Sequence, residues 1–541
     1  MKKITTLGLI LFHFLILIAA SGISMAANVN PVYLAQGWDD KTRQQMYYTS
    51  FGSRFIPYDW FLLLEQTGST ELLRSPEHMT ALGFVPGAIS ELNPDGLPVG
   101  LVRDSDKQQG DYLGLTCTAC HTGQVSVQGQ TIYIDGSQAL IDFTRFEHSV
   151  LDSLKSTVAD AEKFARFFLS IIEKNPSVTA ASLKQQMTTR IAELEQRFTA
   201  NATDVPYGKG RLDAFGQIFN AIAVEALQLP ENARAPDAPA SYPVLWDASH
   251  LDVVQWNASA PNQEPGPLFQ NAITVLAVYG TVSVPKNKLT YHSSIRISNL
   301  GDLQSGFYKL TAPKWPVEYA GQLDAEKIAR GKSLYEQHCA RCHTYVDASD
   351  VKRKLRAVLT SVADVGTDPL IVDNFANRRV KAGVLEGDRV LLVAGDALAV
   401  EAKPIDLVTH VAAGALVNQP WQSLKAIINE RESRYPKPEQ QNDRVYKARP
   451  INGVWASAPY LHNGSVPTIY DLLLPAVQRP AIFYVGNIEL DVVKVGYLTT
   501  ETPNATLFNT HLRGNSNAGH EYGTQLSDEQ RWDLVEYIKS L

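Results

Sequence analysis

Two short cysteine motifs constrain this chain more than any other feature. They read Cys117-Thr-Ala-Cys120-His121 and Cys339-Ala-Arg-Cys342-His343, and together they use all four cysteines of the 541 residues. Two thiols three positions apart lie on one side of a helical turn, where both can bond to one haem, and the adjacent histidine can give an imidazole nitrogen to the iron. The sequence therefore predicts two covalently bound haems c, with His121 and His343 as proximal iron ligands.

The cysteines have two other uses to weigh. A zinc ribbon places its two C-x-x-C pairs about 15–20 residues apart, whereas these pairs begin at residues 117 and 339. A redox disulfide of the thioredoxin type does not require a histidine after the second cysteine, and both pairs have one. We therefore favour haem over zinc and over a disulfide.

The N-terminus has the pattern of a secretory signal. Lys2 and Lys3 precede an apolar run over residues 7–20, and Ser24 and Ala26 supply small residues before a cleavage point. The run is shorter than the roughly 20 residues of a membrane-spanning helix. Residues 1–26 are therefore predicted to be a signal peptide, with an uncleaved anchor as the alternative, and the mature protein to be periplasmic or secreted and not membrane-spanning.

The charge of the chain limits its partners. With 49 basic and 56 acidic residues the formal net charge is −7, and no basic run is present. This balance argues against nucleic acid as a partner. It is compatible with a small electron-donor or electron-acceptor protein of opposite charge.

We expect a mainly α fold with two cytochrome c-like haem domains, large loop insertions and a few short strands. The predicted domains cover residues 27–320 and 321–541. A helix over residues 323–342 runs into the second motif, and a capping box at Ser527–Gln530 opens a final helix with an apolar stripe. Gly331 lies on the apolar face of the first of these helices, where it would let the second cross closely, as in cytochrome c.

Smaller features of the N-terminal half are also predicted. Residues 124–135 alternate like two strands with a turn at Gly129. Residues 151–200 have the pattern of two amphipathic helices broken near Asn175 and Pro176. The aromatic-rich stretch 38–65 is expected to be ordinary core, with a wall of a haem pocket as the alternative.

The possible iron ligands are unevenly distributed. After signal cleavage the methionines are Met46, Met79 and Met187, all before the second motif. The second haem is therefore not expected to have a methionine ligand from its own domain, and its sixth position is filled by a histidine or is open. The histidines after the second motif are His410, His462, His511 and His520.

Two of these histidines lie in loops that suit a flat ring. His462 and His520 are surrounded by glycine and asparagine, and small residues allow a backbone to approach a haem closely. A histidine in such a loop is otherwise a hydrogen-bonded structural residue. From the residues alone His520 is the stronger ligand, with His462 or neither as alternatives.

Several stretches together resemble the di-haem rubber oxygenase family, within the wider group of bacterial di-haem cytochrome c peroxidases and methylamine-utilisation enzymes. The likeness runs from Trp38 through nearly the whole mature chain. The stretches are Arg54–Trp60, Cys117–Val125 with Ile134–Gly136, Ser241–Asp247, Arg449–Gly453, Ala458–Pro467 and Gly514–Gly523.

The resemblance implies unequal haems. The haem on His121 would be reactive, with an open or dioxygen-occupied distal face, and the haem on His343 would be bis-histidine with His520 as its second ligand. Trp246 resembles the tryptophan that assists electron exchange between the haems, and a buried core tryptophan is the alternative. Ser259–Pro261 stand where rubber-cleaving members have a bulky aromatic residue, and the chain is shorter, so both differences count against polyisoprene as substrate.

The expected function is that of an exported di-haem oxidoreductase that uses dioxygen or peroxide. A pure electron-transfer cytochrome is the main alternative, because no general acid or base can be assigned beside the first haem. A haem-based sensor is a third reading, but no signalling segment is visible after the signal peptide.

Overall fold

The computed structural model describes residues 30–347, 350–429 and 444–541, so the predicted signal peptide lies outside the described residues. About 40% of the chain is helical and 15% is strand. The prediction of a mainly α fold is therefore wrong, and the fold is mixed α/β. The predicted division into domains at residue 320 stays a prediction.

The helices fall into two groups around the second cysteine motif. Up to that motif they are α1 (Asp40–Tyr48), α2 (Tyr58–Leu63), α3 (Pro76–Ala81), α4 (Cys117–Cys120), α5 (Phe143–Ala159), α6 (Ala161–Lys174), α7 (Ala180–Ala200), α8 (Ala214–Asn220), α9 (Gly266–Ala277), α10 (Ile297–Tyr308), α11 (Val317–Ala320) and α12 (Ala325–His338). After it come α13 (Val362–Val365), α14 (Leu370–Asn377), α15 (Pro404–Val417), α16 (Pro420–Asn429), α17 (Ile469–Leu472) and α18 (Asp528–Ser540).

The strands are short and spread along the chain. They are β1 (Val32–Tyr33), β2 (Ile56–Pro57), β3 (Leu101–Asp106), β4 (Gly110–Leu115), β5 (Thr122–Val127), β6 (Gln130–Asp135), β7 (Arg211–Leu212), β8 (Ala240–Ser241), β9 (Val253–Val254), β10 (Ala260–Pro261), β11 (Val358–Ser361), β12 (Val380–Lys381), β13 (Glu401–Ala402), β14 (Val445–Ala448), β15 (Ile482–Val485), β16 (Leu490–Asp491), β17 (Gly496–Tyr497) and β18 (Thr506–Asn509). They form two three-stranded sheets, β1-β6-β5 and β2-β4-β3, and two-stranded sheets elsewhere in the described residues.

Strand β3 shows why the strand content was underestimated. Its sequence, Leu-Val-Arg-Asp-Ser-Asp, contains residues that are depleted in strands. It is a strand because it pairs along its whole length with β4 and because its buried Asp104 accepts from Arg54 and Arg296. Those arginines are distant in sequence, so a local pattern cannot reveal this stabilisation.

The hairpin predicted after the first motif is confirmed. Strands β5 and β6 pair antiparallel from Thr122 with Asp135 to Val127 with Gln130, and Gly129 lies in the turn between them. Helical turn α4 ends at Cys120, so His121 is held between that turn and the first residue of β5.

The break predicted near Asn175 and Pro176 is confirmed, since α6 ends at Lys174 and α7 begins at Ala180. The prediction of two helices over residues 151–200 is wrong in its first half, where α5 ends at Ala159 and α6 begins at Ala161, because the Asp160 side chain caps the start of α6. The aromatic side chains of residues 38–65 are buried, and Phe55 and Phe61 pack on Phe146 of α5. This part of the chain is ordinary apolar core, as expected.

Helices α12 and α18 cross closely, as predicted from Gly331. A Cβ atom at Gly331 would lie 2.0 Å from the carbonyl oxygen of Asp533, so only glycine fits at this crossing. Arg330 donates two hydrogen bonds to the Asp533 carboxylate, at 2.7 and 2.8 Å. The capping box of Ser527 and Gln530 is also confirmed at the start of α18.

The main apolar core contains residues from both predicted halves of the chain, from Trp38 to Ile538. In the described part of the chain, no helix has the length and apolarity that crossing a bilayer requires.

Candidate haem sites

A cavity of about 940 Å³ lies beside the second cysteine motif. Cys339, Cys342 and His343 line it, at the end of α12. Strands β11 and β14, the loop that carries His462 and the loop that carries His520 supply the other walls. The cavity is therefore bounded by one of the two predicted haem attachment motifs and by both loop histidines.

His343 is oriented by a backbone contact. Its ring Nδ1 lies 2.6 Å from the carbonyl oxygen of Arg449, and a carbonyl can only accept, so Nδ1 carries the proton. Nε2 is then the nitrogen with a free lone pair. Burial lowers the pKa of His343, which keeps the imidazole neutral, the form that binds a metal.

His520 faces His343 from the opposite loop. The two ring centres are 6.1 Å apart, and the ring planes are inclined by 50°. Two imidazole nitrogens that bind one metal ion at about 2 Å each place their ring centres about 6 Å apart. The spacing of the two histidines therefore leaves room for one metal ion between them.

The His520 loop is fixed by its backbone. His520 N–H donates to the Val365 carbonyl at 2.7 Å, and a Cβ atom on Gly519 would meet the backbone of Gly366 at 2.2 Å. Burial lowers the pKa of His520 to about 3, and its Nδ1 is buried without a hydrogen-bond partner. An unpartnered buried ring nitrogen is costly unless a ligand or metal completes the site.

His462, the alternative ligand, lines the same cavity but has a protein partner. Its Nε2 lies 3.1 Å from the Tyr446 hydroxyl, and that hydroxyl donates to the Asp368 carbonyl at 2.5 Å. His462 Nε2 must then be the donor to the tyrosine oxygen, which leaves Nδ1 as the lone-pair nitrogen. The two rings also stack, with centres 4.4 Å apart.

The other two histidines after the second motif lie away from this cavity wall. His410 is fully buried in α15, where Nδ1 donates to the Arg389 carbonyl at 2.7 Å and Nε2 accepts from the Tyr291 hydroxyl at 2.7 Å. His511 is exposed. Met46, Met79 and Met187 are buried core residues.

The cysteines and the histidine of the first motif are half-buried. Burial raises the pKa of the Cys117 and Cys120 thiols to about 12 and lowers the pKa of His121 to about 4. A backbone hydrogen bond with Pro243 partly opposes the lowering at His121. The aromatic ring that contacts His121 belongs to Tyr242, with centres 6.2 Å apart, so the surroundings of His121 differ from those of His343.

Residues 241–246 connect the two motifs. Tyr242 contacts His121 and lines the cavity beside His343, and Trp246 lines the same cavity. Trp246 is 1% exposed, its Nε1–H donates to the Asn452 carbonyl at 3.0 Å, and its own carbonyl accepts from Arg449 at 2.8 Å.

The residues of the two cysteine motifs fit covalently bound haem. The four cysteines are free of disulfides, and each motif combines two half-buried thiols with a half-buried histidine whose pKa is lowered by burial. Within residues 30–347, 350–429 and 444–541, no group of three or more metal-binding side chains is gathered at one point.

The sequence did not reveal the roles of Tyr242, Lys447 and Arg449 in the cavity wall. Arg449 belongs to one of the stretches that carried the family resemblance, but that gave it no role. Lys447 shares a face of β14 with the buried Val445, and a lysine on the inward face of a strand was the available signal.

A relative covers almost the whole chain. A protein of Sinorhizobium fredii (strain NBRC 101917 / NGR234) described as uncharacterized protein y4iJ is 30% identical over 577 aligned positions. The alignment covers 94% of this chain and 93% of the relative. This chain belongs to the y4iJ family. The uncharacterized protein y4iM of the same bacterium is 27% identical over 367 residues, which span 63% of this chain and 73% of that protein.

The chemical character of this y4iJ family member comes from a second match. The family described as RoxA-like, cytochrome c-like matches residues 445–484. The match includes β14, Arg449 and His462, which form one wall of the cavity. The chain is therefore related to the RoxA-like cytochromes and is a c-type cytochrome that carries haem c.

Proposed function

We propose that this chain is an exported di-haem oxidoreductase. One haem c is attached at Cys117 and Cys120 with His121 as proximal ligand, and the other at Cys339 and Cys342 with His343. The first is the reactive site for dioxygen or peroxide, and the second is a six-coordinate electron-transfer haem that has His520 as its other ligand. Haem c supplies reversible one-electron chemistry and, where the iron keeps an open position, a binding site for dioxygen or peroxide.

The observation that carries the proposal is the difference between the two histidines. His343 has the ring of His520 6.1 Å away across the cavity, a spacing that suits two ligands on one metal ion. The ring in contact with His121 is instead Tyr242, whose hydroxyl donates to the Arg211 carbonyl and lies beside Cys120, and among the described residues no second imidazole ring contacts His121. Two unequal metal environments support a division into a reactive site and an electron reservoir.

Trp246 is the residue proposed to assist electron exchange. It is buried, it lines the cavity of the second motif, and its segment, residues 241–246, contains the tyrosine that contacts His121. Its hydrogen bonds to Asn452 and from Arg449 fix both the indole and the backbone. The external partner in this scheme is a small electron-donor or electron-acceptor protein, in the periplasm or outside the cell.

The test measures the number of bound haems and then the spin state and reactivity of each iron. We expect the intact mass of the exported protein to include two haems. Electron paramagnetic resonance of the oxidised protein should show one low-spin and one high-spin iron, and only the high-spin signal should respond to peroxide or to dioxygen after reduction.

Paired variants assign the signals. Cys117→Ala with Cys120→Ala should remove the high-spin signal, and Cys339→Ala with Cys342→Ala should remove the low-spin signal. Two low-spin irons that ignore peroxide and dioxygen would overturn the oxidoreductase proposal and favour a pure electron-transfer cytochrome.

A further inference from the structure

Two cationic side chains line the cavity of the second motif without a carboxylate partner. Lys447 lies in β14, and Arg449 follows two residues later. The Arg449 guanidinium donates to the carbonyls of Val244 and Trp246, each at 2.8 Å, and neither cation has an ion pair with a described residue. Carbonyl oxygens satisfy hydrogen bonds but do not neutralise a positive charge.

The nearest carboxylates are already engaged. Asp247 binds Arg353 at 2.5 Å and accepts from the Asn452 amide at 2.7 Å. Asp252 accepts from the backbone N–H of Ala357 at 2.9 Å. Asp252 accepts from a neutral N–H and keeps its charge, so it partly offsets Lys447 without forming an ion pair with it. Because Asp247 also balances Arg353, three cations stand against two carboxylates here, and one positive charge of the group stays unbalanced.

A positive charge in this part of the cavity wall is energetically unfavourable. Burial lowers the pKa of Lys447 to about 7, with a further contribution from the neighbouring Arg449, and Asp252 opposes this only in part. Buried charges in proteins are normally paired. The remaining charged residues of the cavity wall, Arg341, Asp364 and Glu521, are exposed at its rim and can be balanced by solvent.

The group that would balance these cations is an anion inside the cavity. A haem carries two propionate carboxylates, and the same cavity is bounded by the cysteines and histidine that would hold a haem. Guanidinium and ammonium groups form strong charge-assisted hydrogen bonds with carboxylates. Lys447 and Arg449 thus have the positive charge, the hydrogen-bond donors and the position in the cavity that a propionate site requires.

Resting on the proposed function, we propose that Lys447 and Arg449 bind the propionates of the haem on Cys339 and Cys342, and that their charge raises the reduction potential of that haem. The ferric state carries one more positive charge than the ferrous state, so neighbouring cations favour the ferrous state. Arg449 has a second part in the same site, because its carbonyl orients His343 while its guanidinium holds the Trp246 backbone.

The experiment compares Lys447→Met and Lys447→Arg in the full-length exported protein. The intact mass first establishes that the haem on Cys339 and Cys342 is present. Resonance Raman spectra then report the propionate-bending band, and a spectroelectrochemical titration reports the potential of each haem. We expect Lys447→Met to shift the band and lower the potential of one haem, and Lys447→Arg to keep both near the wild-type values.

The outcomes separate this inference from the proposed function. A wild-type protein without the second haem contradicts the proposed function itself. Two haems in both variants, with the propionate band and both potentials unchanged in Lys447→Met, overturns the propionate site alone. If Lys447→Met does not fold, Lys447→Gln retains most of the side-chain stem without the charge, and the same band shift and lower potential are expected.

Discussion

The backbone of the His520 loop is fixed independently of the histidine side chain. His520 N–H donates to the Val365 carbonyl, and Gly519 packs closely against Gly366. Replacing His520 with alanine should therefore open one face of the second haem without disturbing the fold. We expect the low-spin signal to be replaced by a five-coordinate high-spin signal, with both haems retained. Titration of the reduced protein with carbon monoxide checks this, since carbon monoxide needs an open iron: the wild type should bind one molecule at the first haem, and the variant should bind two.

The matched control is His462→Ala, because His462 lines the same cavity but is hydrogen-bonded to Tyr446. This variant should keep the low-spin signal and should not bind carbon monoxide at the second haem. If His462→Ala opened the haem and His520→Ala did not, the assignment of the sixth ligand would be reversed. Added imidazole should restore the low-spin signal in whichever variant has lost the ligand.

Glu147 gives a pH-dependent prediction for the stability of the fold. It is buried in α5, it accepts a hydrogen bond from the Tyr279 hydroxyl, and burial raises its pKa from 4.5 to about 7. The folded state therefore holds a proton that the unfolded state releases between these two values. The resulting stabilisation is present below about pH 4.5 and is lost as the pH rises through about 7, by up to about 3 kcal/mol.

Glu147→Gln removes this titration while it keeps the size of the side chain. Denaturant unfolding from pH 4.5 to 8 should show the wild type losing stability relative to Glu147→Gln as the pH rises. Glu195→Gln is the control, because Glu195 is exposed on α7 and pairs with Lys155 at the surface. A constant difference between wild type and Glu147→Gln across this range would contradict the raised pKa.

The crossing of α12 and α18 is the element that connects the second motif to the C-terminus. Gly331→Ala would place a methyl group 2.0 Å from the Asp533 carbonyl oxygen, and this atom belongs to a helix backbone that cannot move aside alone. We expect the free energy of unfolding to fall by about 1–3 kcal/mol, the usual range for overpacking. Denaturant unfolding followed by far-ultraviolet circular dichroism measures the change.

Ala329→Val is the control on the same helix, because Ala329 is exposed and the added methyl groups face solvent. Its effect should be within about 0.5 kcal/mol. Equal effects of the two substitutions would mean that the helices separate at little cost, and the second haem would then lack a rigid wall at this point.

Predictability differed between elements for a physical reason. The hairpin β5-β6 and the crossing helices were predicted because alternation, a turn glycine and a capping box are local signals. Strand β3 was missed because aspartate is depleted in strands and because Arg296, which pairs with Asp104, is distant in sequence. The two-residue strands were missed because two residues cannot show an alternating pattern. Those short strands make the fold mixed α/β.

At the scale of the whole molecule, the residues of the candidate sites were predictable only where chemistry fixes their spacing. The C-x-x-C-H pattern identified six of them directly, and glycine-rich surroundings indicated His520. Tyr242, Lys447 and Arg449 were not predicted to share one cavity, because each reaches it through contacts with residues far away in the chain. Their roles can be assigned only from the folded structure, which brings them together around one cavity.

The two motifs lie in different parts of the chain, and residues 241–246 are the stretch that contacts both sites. Trp246→Phe would keep most of the buried ring volume and remove the hydrogen bond to Asn452. If this segment carries electrons between the haems, the variant should equilibrate an electron between them more slowly while both reduction potentials stay unchanged. Rapid reduction by a pulse of electrons, followed at wavelengths that distinguish the two haems, measures that rate.

Trp455→Phe is the control, since Trp455 is equally buried and donates to the Pro313 carbonyl instead. Equal rates in Trp246→Phe and the wild type would leave Trp246 as a core residue and require another route between the two irons.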